Sequence, residues 1–128
     1  MRFLLDTHAL LWWWTDDARL PESARSLIGD EANTILVSAA SAWEIATKHR
    51  LGKLAIGAEA MARFTELTEA DGFEHLPVGY LHALHAGSLA GEHRDPFDRM
   101  LAAQSRLEAT PLITGDEALA TLGAATRW

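Results

Sequence analysis

Residues 2–7, RFLLDT, read as a short apolar strand that stops abruptly on an acid. Phe3, Leu4 and Leu5 carry no polar interruption, which suits a strand buried on both faces. An ionised carboxylate directly after such a run needs partners, and no basic residue adjoins Asp6 on its C-terminal side. In an open parallel α/β sheet the carboxyl ends of the strands share one edge, and ligands bind along that edge. Asp6 is therefore the first candidate site residue. The rest of the chain is read for acids in equivalent places.

Working outward, the helical stretch His8 to Trp14 follows at once, and Pro21 suits the first turn of a second helix running to about Gly29. Residues 34–37, TILV, are β-branched and apolar enough for a second buried strand. An Ala-rich helix from Ser38 to Leu51 stops at Gly52, and residues 58–70 suggest one further helix. Phe73 to Leu76 forms a third short strand ended by Pro77. A helix over about 78–89 leads into the polar link Gly91 to Arg94. Asp95-Pro96 opens a helix to about Glu108, Pro111 to Ile113 is a fourth strand, and Asp116 starts a last short helix. This alternation implies an α/β fold, a mostly parallel sheet of about four to five strands with helices on both faces. No internal repeat or linker divides residues 1–128, so a single domain is expected.

Three more acids stand at strand-to-helix junctions or just inside the helix: Glu44, Asp98 and Asp116. Each has a bland reading as well. Ser41-x-x-Glu44 matches a capping box, Asp98 occupies a helix first turn where a carboxylate favours the dipole, and Asp116 suits an N-cap. Asp95 is assigned to capping, with Pro96 at the first helical position. Four acids on one predicted edge are nevertheless hard to explain as four separate caps. Side chains on a helix lean toward its N-terminus, so even Glu44 can point back to the strand ends. Carboxylates crowded together repel one another unless a cation sits among them. Hard oxygen ligands favour Mg²⁺ or Mn²⁺.

Zinc is disfavoured. His82 and His85 are three apart, but no third ligand completes a tetrahedral site. His8 and His93 flank the carboxylates and are read either as substrate contacts or as structural hydrogen-bonding groups. The chain lacks cysteine, which excludes disulfides and thiolate metal sites and is compatible with a reducing cytosol. MRFLLD lacks the apolar length of a signal peptide, and no segment reaches the roughly 18 apolar residues of a membrane span, so a cytoplasmic location is expected. The formal charge of -7 argues against a general nucleic-acid binder. It does not argue against a nuclease whose metal reverses part of the local field.

FLLDTHALLWW, SAASAWEIATKHRLGKL, HRDPFDRMLAAQ and LITGDEAL, in this order and spacing, resemble the PIN-domain family, in particular the VapC-type toxins of bacterial toxin–antitoxin pairs. The likeness spans nearly the whole chain. It implies a three-layer α/β/α sandwich and a metal-dependent endoribonuclease held in check by a small antitoxin. Residue by residue, it assigns Asp6, Glu44, Asp98 and Asp116 as catalytic acids that bind Mg²⁺ or Mn²⁺. Thr7 and Thr114 become neighbouring groups, and Arg94 and Arg99 become candidates for phosphate contact. RNA, a cognate antitoxin and a second copy of the chain are the implied partners. One or two metals would activate a water for attack on the phosphodiester, with Glu44 or Asp116 placed to take its proton.

Two other classes are weighed. A phosphoacceptor domain wants a late lysine, yet the last lysine is Lys53, and a dehalogenase-like phosphatase wants an Asp where His8 stands. A PIN-fold binding module without chemistry is disfavoured by the intact quartet. Finally, Ala9 to Trp14, ALLWWW, covers every side of a helix, and a protein–protein surface is expected there.

Overall fold

The computed structural model describes residues 1–128. Five strands, β1 (Arg2–Leu5), β2 (Thr34–Ser38), β3 (Glu74–Leu76), β4 (Leu112–Ile113) and β5 (Thr126–Arg127), form one sheet in the order β3-β2-β1-β4-β5. Every pairing is parallel. The chain fills the sheet outward from β1 to β3, then returns to place β4 on the other side of β1. The order therefore reverses at the β1–β4 boundary, the position where an open α/β sheet leaves a crevice.

The helices are α1 (Thr7–Trp14), α2 (Glu22–Gly29), α3 (Ala39–Arg50), α4 (Gly57–Ala62), α5 (Phe64–Ala70), α6 (Tyr80–Ser88), α7 (Pro96–Leu107) and α8 (Glu117–Thr121). The two-residue period of the strands sorts the core into two layers. Phe3, Leu5, Ile35, Val37 and Ile113 face Ala9 and Leu10 of α1 and Ala24 and Ile28 of α2. Leu4, Leu36 and Leu112 face Leu101 and Ala102 of α7 and Leu119 of α8. Burying each large side chain contributes about 1.5–3 kcal/mol, so these layers set the register that carries the strand ends. A smaller cluster of Leu11, Ile45 and Ala60 ties α1 to α3 and α4.

The expected elements are present, with two revisions. The single helix anticipated over 58–70 is two, α4 and α5, separated at Arg63. The break brings Phe64 edge-on against Trp14, with ring centroids 5.5 Å apart. The fifth strand, Thr126–Arg127, has no readable pattern of its own. It exists because its residues pair with Leu112 and Ile113.

The tryptophans of α1 are each half-buried. Trp13 and Trp14 both donate Nε1–H to Asp71 Oδ2, at 3.2 and 3.1 Å, while Trp12 turns toward Trp128. Large apolar side chains more exposed than these lie elsewhere, among them Tyr80, Leu81 and Leu84 of α6 and Trp43. No helix is long and apolar enough to cross a membrane.

Candidate active site

Asp6 follows β1 and occupies the N-cap of α1, yet its side chain makes no capping bond. It is instead buried, and Thr114, just beyond β4, donates its hydroxyl proton to Asp6 Oδ2 at 2.8 Å. Burial pushes the Asp6 carboxyl up to about 6. The Thr114 hydrogen bond and His8 work against that rise, and the charges of Asp98 and Glu44 add to it. Thr7, next along, donates to Ser41 Oγ at 2.9 Å and so pins the start of α1 to α3.

Glu44 does not cap either. The N-cap of α3 is Ser38, whose hydroxyl accepts from the Ala40 amide, so the Ser41-x-x-Glu44 capping box is not formed. Glu44 lies in the second turn and is 2% exposed. Its Oε2 accepts from Lys48 Nζ one turn on, and its Oε1 is buried with no hydrogen-bond partner. Burial opposes the ammonium of Lys48. The hydrogen bond and charge of Glu44, with the charges of Asp95 and Asp98, prevail and hold its pKa above the ordinary value.

Asp95 behaves as expected, accepting from the amides of Phe97 at 2.9 Å and Asp98 at 3.2 Å as the cap of α7. That leaves the Asp98 side chain for other work. Its Oδ2 hydrogen-bonds His93 Nε2 at 2.8 Å. Burial raises the Asp98 pKa, the His93 hydrogen bond counteracts it, and the charges of Asp95 and Glu44 push it further up. Asp116 keeps a capping role, since its Oδ1 accepts from the Ala118 amide at 3.0 Å. It also lines one hollow with Asp6, and its own amide donates to Thr114 Oγ1 at 3.0 Å.

Asp6, Glu44 and Asp98 thus feel one another's charge across β1, α3 and α7, and Asp116 borders Asp6 through the Thr114 bridge. Each carboxylate commits an oxygen to a neighbour within the protein. No three acidic or histidine side chains stand at ligand spacing. The donors are nonetheless of the kind a hard divalent cation takes, carboxylate oxygens, and the buried Glu44 Oε1 lacks any other partner.

The two arginines flanking Asp98 differ. Arg99 donates to the carbonyls of Ala86, Leu89 and His93, so it braces the loop that carries His93. Arg94 is exposed and lines an open hollow beside that loop. His82 is a structural histidine, accepting from the Gly79 amide and pairing with Glu108 at 2.9 Å. Lys48 was not singled out from the sequence, although its position four residues after Glu44 on a helix is a legible ion-pair signal.

The PIN domain family profile matches residues 3–124. The chain belongs to the PIN domain family. Among curated proteins, Ribonuclease VapC16 of Mycobacterium tuberculosis is 39% identical over 61 residues, a match spanning 48% of this chain and 43% of that protein. The match thus covers about half of this chain and less than half of that relative. Among solved structures, VapBC2 from Rickettsia felis, bound to a DNA fragment from its promoter, superposes with a TM-score of 0.70 at 15% identity, covering 99% of this chain and 98% of that one. VapBC-1 from nontypeable Haemophilus influenzae gives 0.70 at 17% identity, covering 99% and 97%. FitAB bound to a DNA fragment gives 0.66 at 15% identity, covering 99% and 94%. At these identities the likeness establishes the PIN fold.

Proposed function

We propose that this PIN domain is a divalent-metal-dependent endoribonuclease, and that it is the toxin of a toxin–antitoxin pair. The observation that carries the proposal is the trio of Asp6 and Glu44, both buried, and Asp98, half-buried, which feel one another's charge at the carboxyl edge of a parallel sheet, with Glu44 Oε1 unsatisfied. The name of the curated relative, a ribonuclease, supports the reaction class. That the similar structures are VapBC and FitAB assemblies supports a cognate antitoxin as partner.

Asp6, Glu44, Asp98 and Asp116 would hold Mg²⁺ or Mn²⁺, which supplies Lewis acidity and a water nucleophile at neutral pH. The protein's own contribution is orientation. Thr114 fixes one Asp6 oxygen and, through the Asp116 amide, the height of the Asp116 loop. His93 does the same for Asp98. Lys48 balances Glu44 in a site otherwise crowded with negative charge. Glu44 and Asp116 are the candidates to accept a proton from the attacking water, and Arg94 is free to meet a phosphate. A cytoplasmic setting and a homodimer complete the proposal.

The test is cleavage of RNA by the purified chain freed of any partner, in Mg²⁺ or Mn²⁺ and then in chelator. Metal-dependent endonucleolytic products, lost on adding a cognate antitoxin encoded beside this gene, are the expected result. No cleavage with either metal across a mixed RNA pool overturns it.

A further inference from the structure

An RNA strand carries one negative charge per nucleotide, and the chain that would hold it has a formal charge of -7. Phosphate contacts by Lys and Arg therefore supply only part of the grip. Stacking of bases on aromatic side chains does not depend on net charge, and it is a common way to hold single strands.

An aromatic wall adjoins the acids. A hollow of about 390 Å³ is lined by Asp6 and Asp116 together with His8, Trp12 and Trp128. His8 and Trp12 are 5.8 Å apart between ring centroids, with planes inclined at 36°. Trp12 and Trp128 are 6.0 Å apart. Arg19 lies over the Trp12 ring at 4.8 Å and is held there by Asp17. A second hollow, of about 410 Å³, continues past His8 and Trp12 to Lys53.

Trp128 is the telling residue. Its placement is enforced from two directions, for the Thr114 amide donates to the Arg127 carbonyl at 3.0 Å and the indole lies directly on Gly115. A Cβ at Gly115 would stand 2.6 Å from Trp128 Cε2. Only glycine lets the ring sit on the backbone that joins Thr114 to Asp116. One face of the indole is taken by Gly115, and Trp128 keeps 40% of its surface exposed, beside the acids.

We propose that His8, Trp12 and Trp128 form a nucleobase-stacking subsite of the active site, which takes an unpaired base of an RNA strand next to the bond that is cut. This rests on the ribonuclease reading above. Lys53, at the far end of the second hollow, meets a phosphate further along the strand. The subsite selects single-stranded segments, because a base inside an A-form duplex has no free face to offer.

The experiment uses the full chain with Mg²⁺ or Mn²⁺ and an unstructured RNA oligonucleotide that the wild type cleaves, alone and annealed to its complement. Trp128→Ala should raise KM for the single strand about ten-fold with kcat changed less than about two-fold, and Trp128→Phe should recover most of the loss. RNA titrated onto the wild type in Ca²⁺ should quench tryptophan fluorescence, and Trp128→Ala should lose part of that quench. Tyr80→Ala, an exposed aromatic change on α6, should alter neither. An unchanged KM in Trp128→Ala, with wild-type cleavage intact, overturns the subsite and leaves the ribonuclease reading standing. So does a fall in kcat alone, which would make Trp128 a mere support for the Asp116 loop. A wild type that cleaves no RNA fails the ribonuclease reading, and the subsite falls with it.

Discussion

Thr114 donates to Asp6 across 2.8 Å, joining two residues that lie 108 positions apart, and its oxygen accepts from the Asp116 amide at 3.0 Å. One hydroxyl therefore ties the Asp6 carboxylate to the backbone of Asp116 beside the β1–β4 boundary. It also opposes the rise that burial imposes on the Asp6 pKa.

Removing that donor should be visible in titration. Thr114→Val nearly conserves shape but deletes the hydrogen bond to the ionised carboxylate, so the Asp6 pKa should climb above about 6. Carboxyl NMR titration in chelator would measure it, and the acid limb of the activity profile should move to higher pH in parallel. An Asp6 titration indistinguishable from wild type would show that the bond is absent in solution.

Asp6 also links stability to pH. Its folded pKa of about 6 lies above the ordinary aspartate value of 3.8, so folding favours the protonated form. The stabilising contribution is complete below 3.8 and disappears as pH rises through about 6, a loss of about 3 kcal/mol. Denaturant melts in chelator should show this decline, and Asp6→Asn should flatten it. Mg²⁺ at pH 7 should restore stability to the wild type by binding the native state. A wild-type curve as flat as that of Asp6→Asn would refute the assignment.

Lys48 and a divalent cation should compete for Glu44. Lys48→Met leaves the buried Glu44 carboxylate without its counter-charge, which should cost on the order of 2 kcal/mol in chelator. The Mg²⁺-induced rise in Tm should then be larger in the variant than in the wild type. Equal or smaller shifts would place Glu44 outside the metal set.

Asp98 and Asp95 are three residues apart and should behave differently. Asp98→Asn replaces a charged ligand with a weaker neutral one, and the fall in activity should exceed the roughly 10–100-fold typical of outer residues at metal sites. Asp95→Asn should be mild, because Asn caps a helix about as well as Asp and both capping amides remain served. Equal losses at equal stability would mean the two roles are reversed.

Local pattern carried much of this protein. The apolar runs at 2–5 and 34–37, the Gly52 stop and the Asp95-Pro96 start are short-range signals, and the sheet layers follow from the alternation of Phe3, Leu4 and Leu5. The proposed site acids were picked out because strand-to-helix junctions of a parallel sheet share an edge. What each carboxylate does with its oxygens was not legible, because partners such as Thr114 for Asp6 are distant in the chain and meet only once β1 and β4 pair. The same holds for the capping box at Ser41, displaced by Ser38, and for the break at Arg63, where packing of Phe64 on Trp14 accompanies a divided helix. It holds most clearly for Trp128. Nothing near it in sequence marks it for the proposed subsite, and its seat on Gly115 is created by β5 pairing with β4, since hydrogen bonds between strands bring together residues that local propensity treats as strangers.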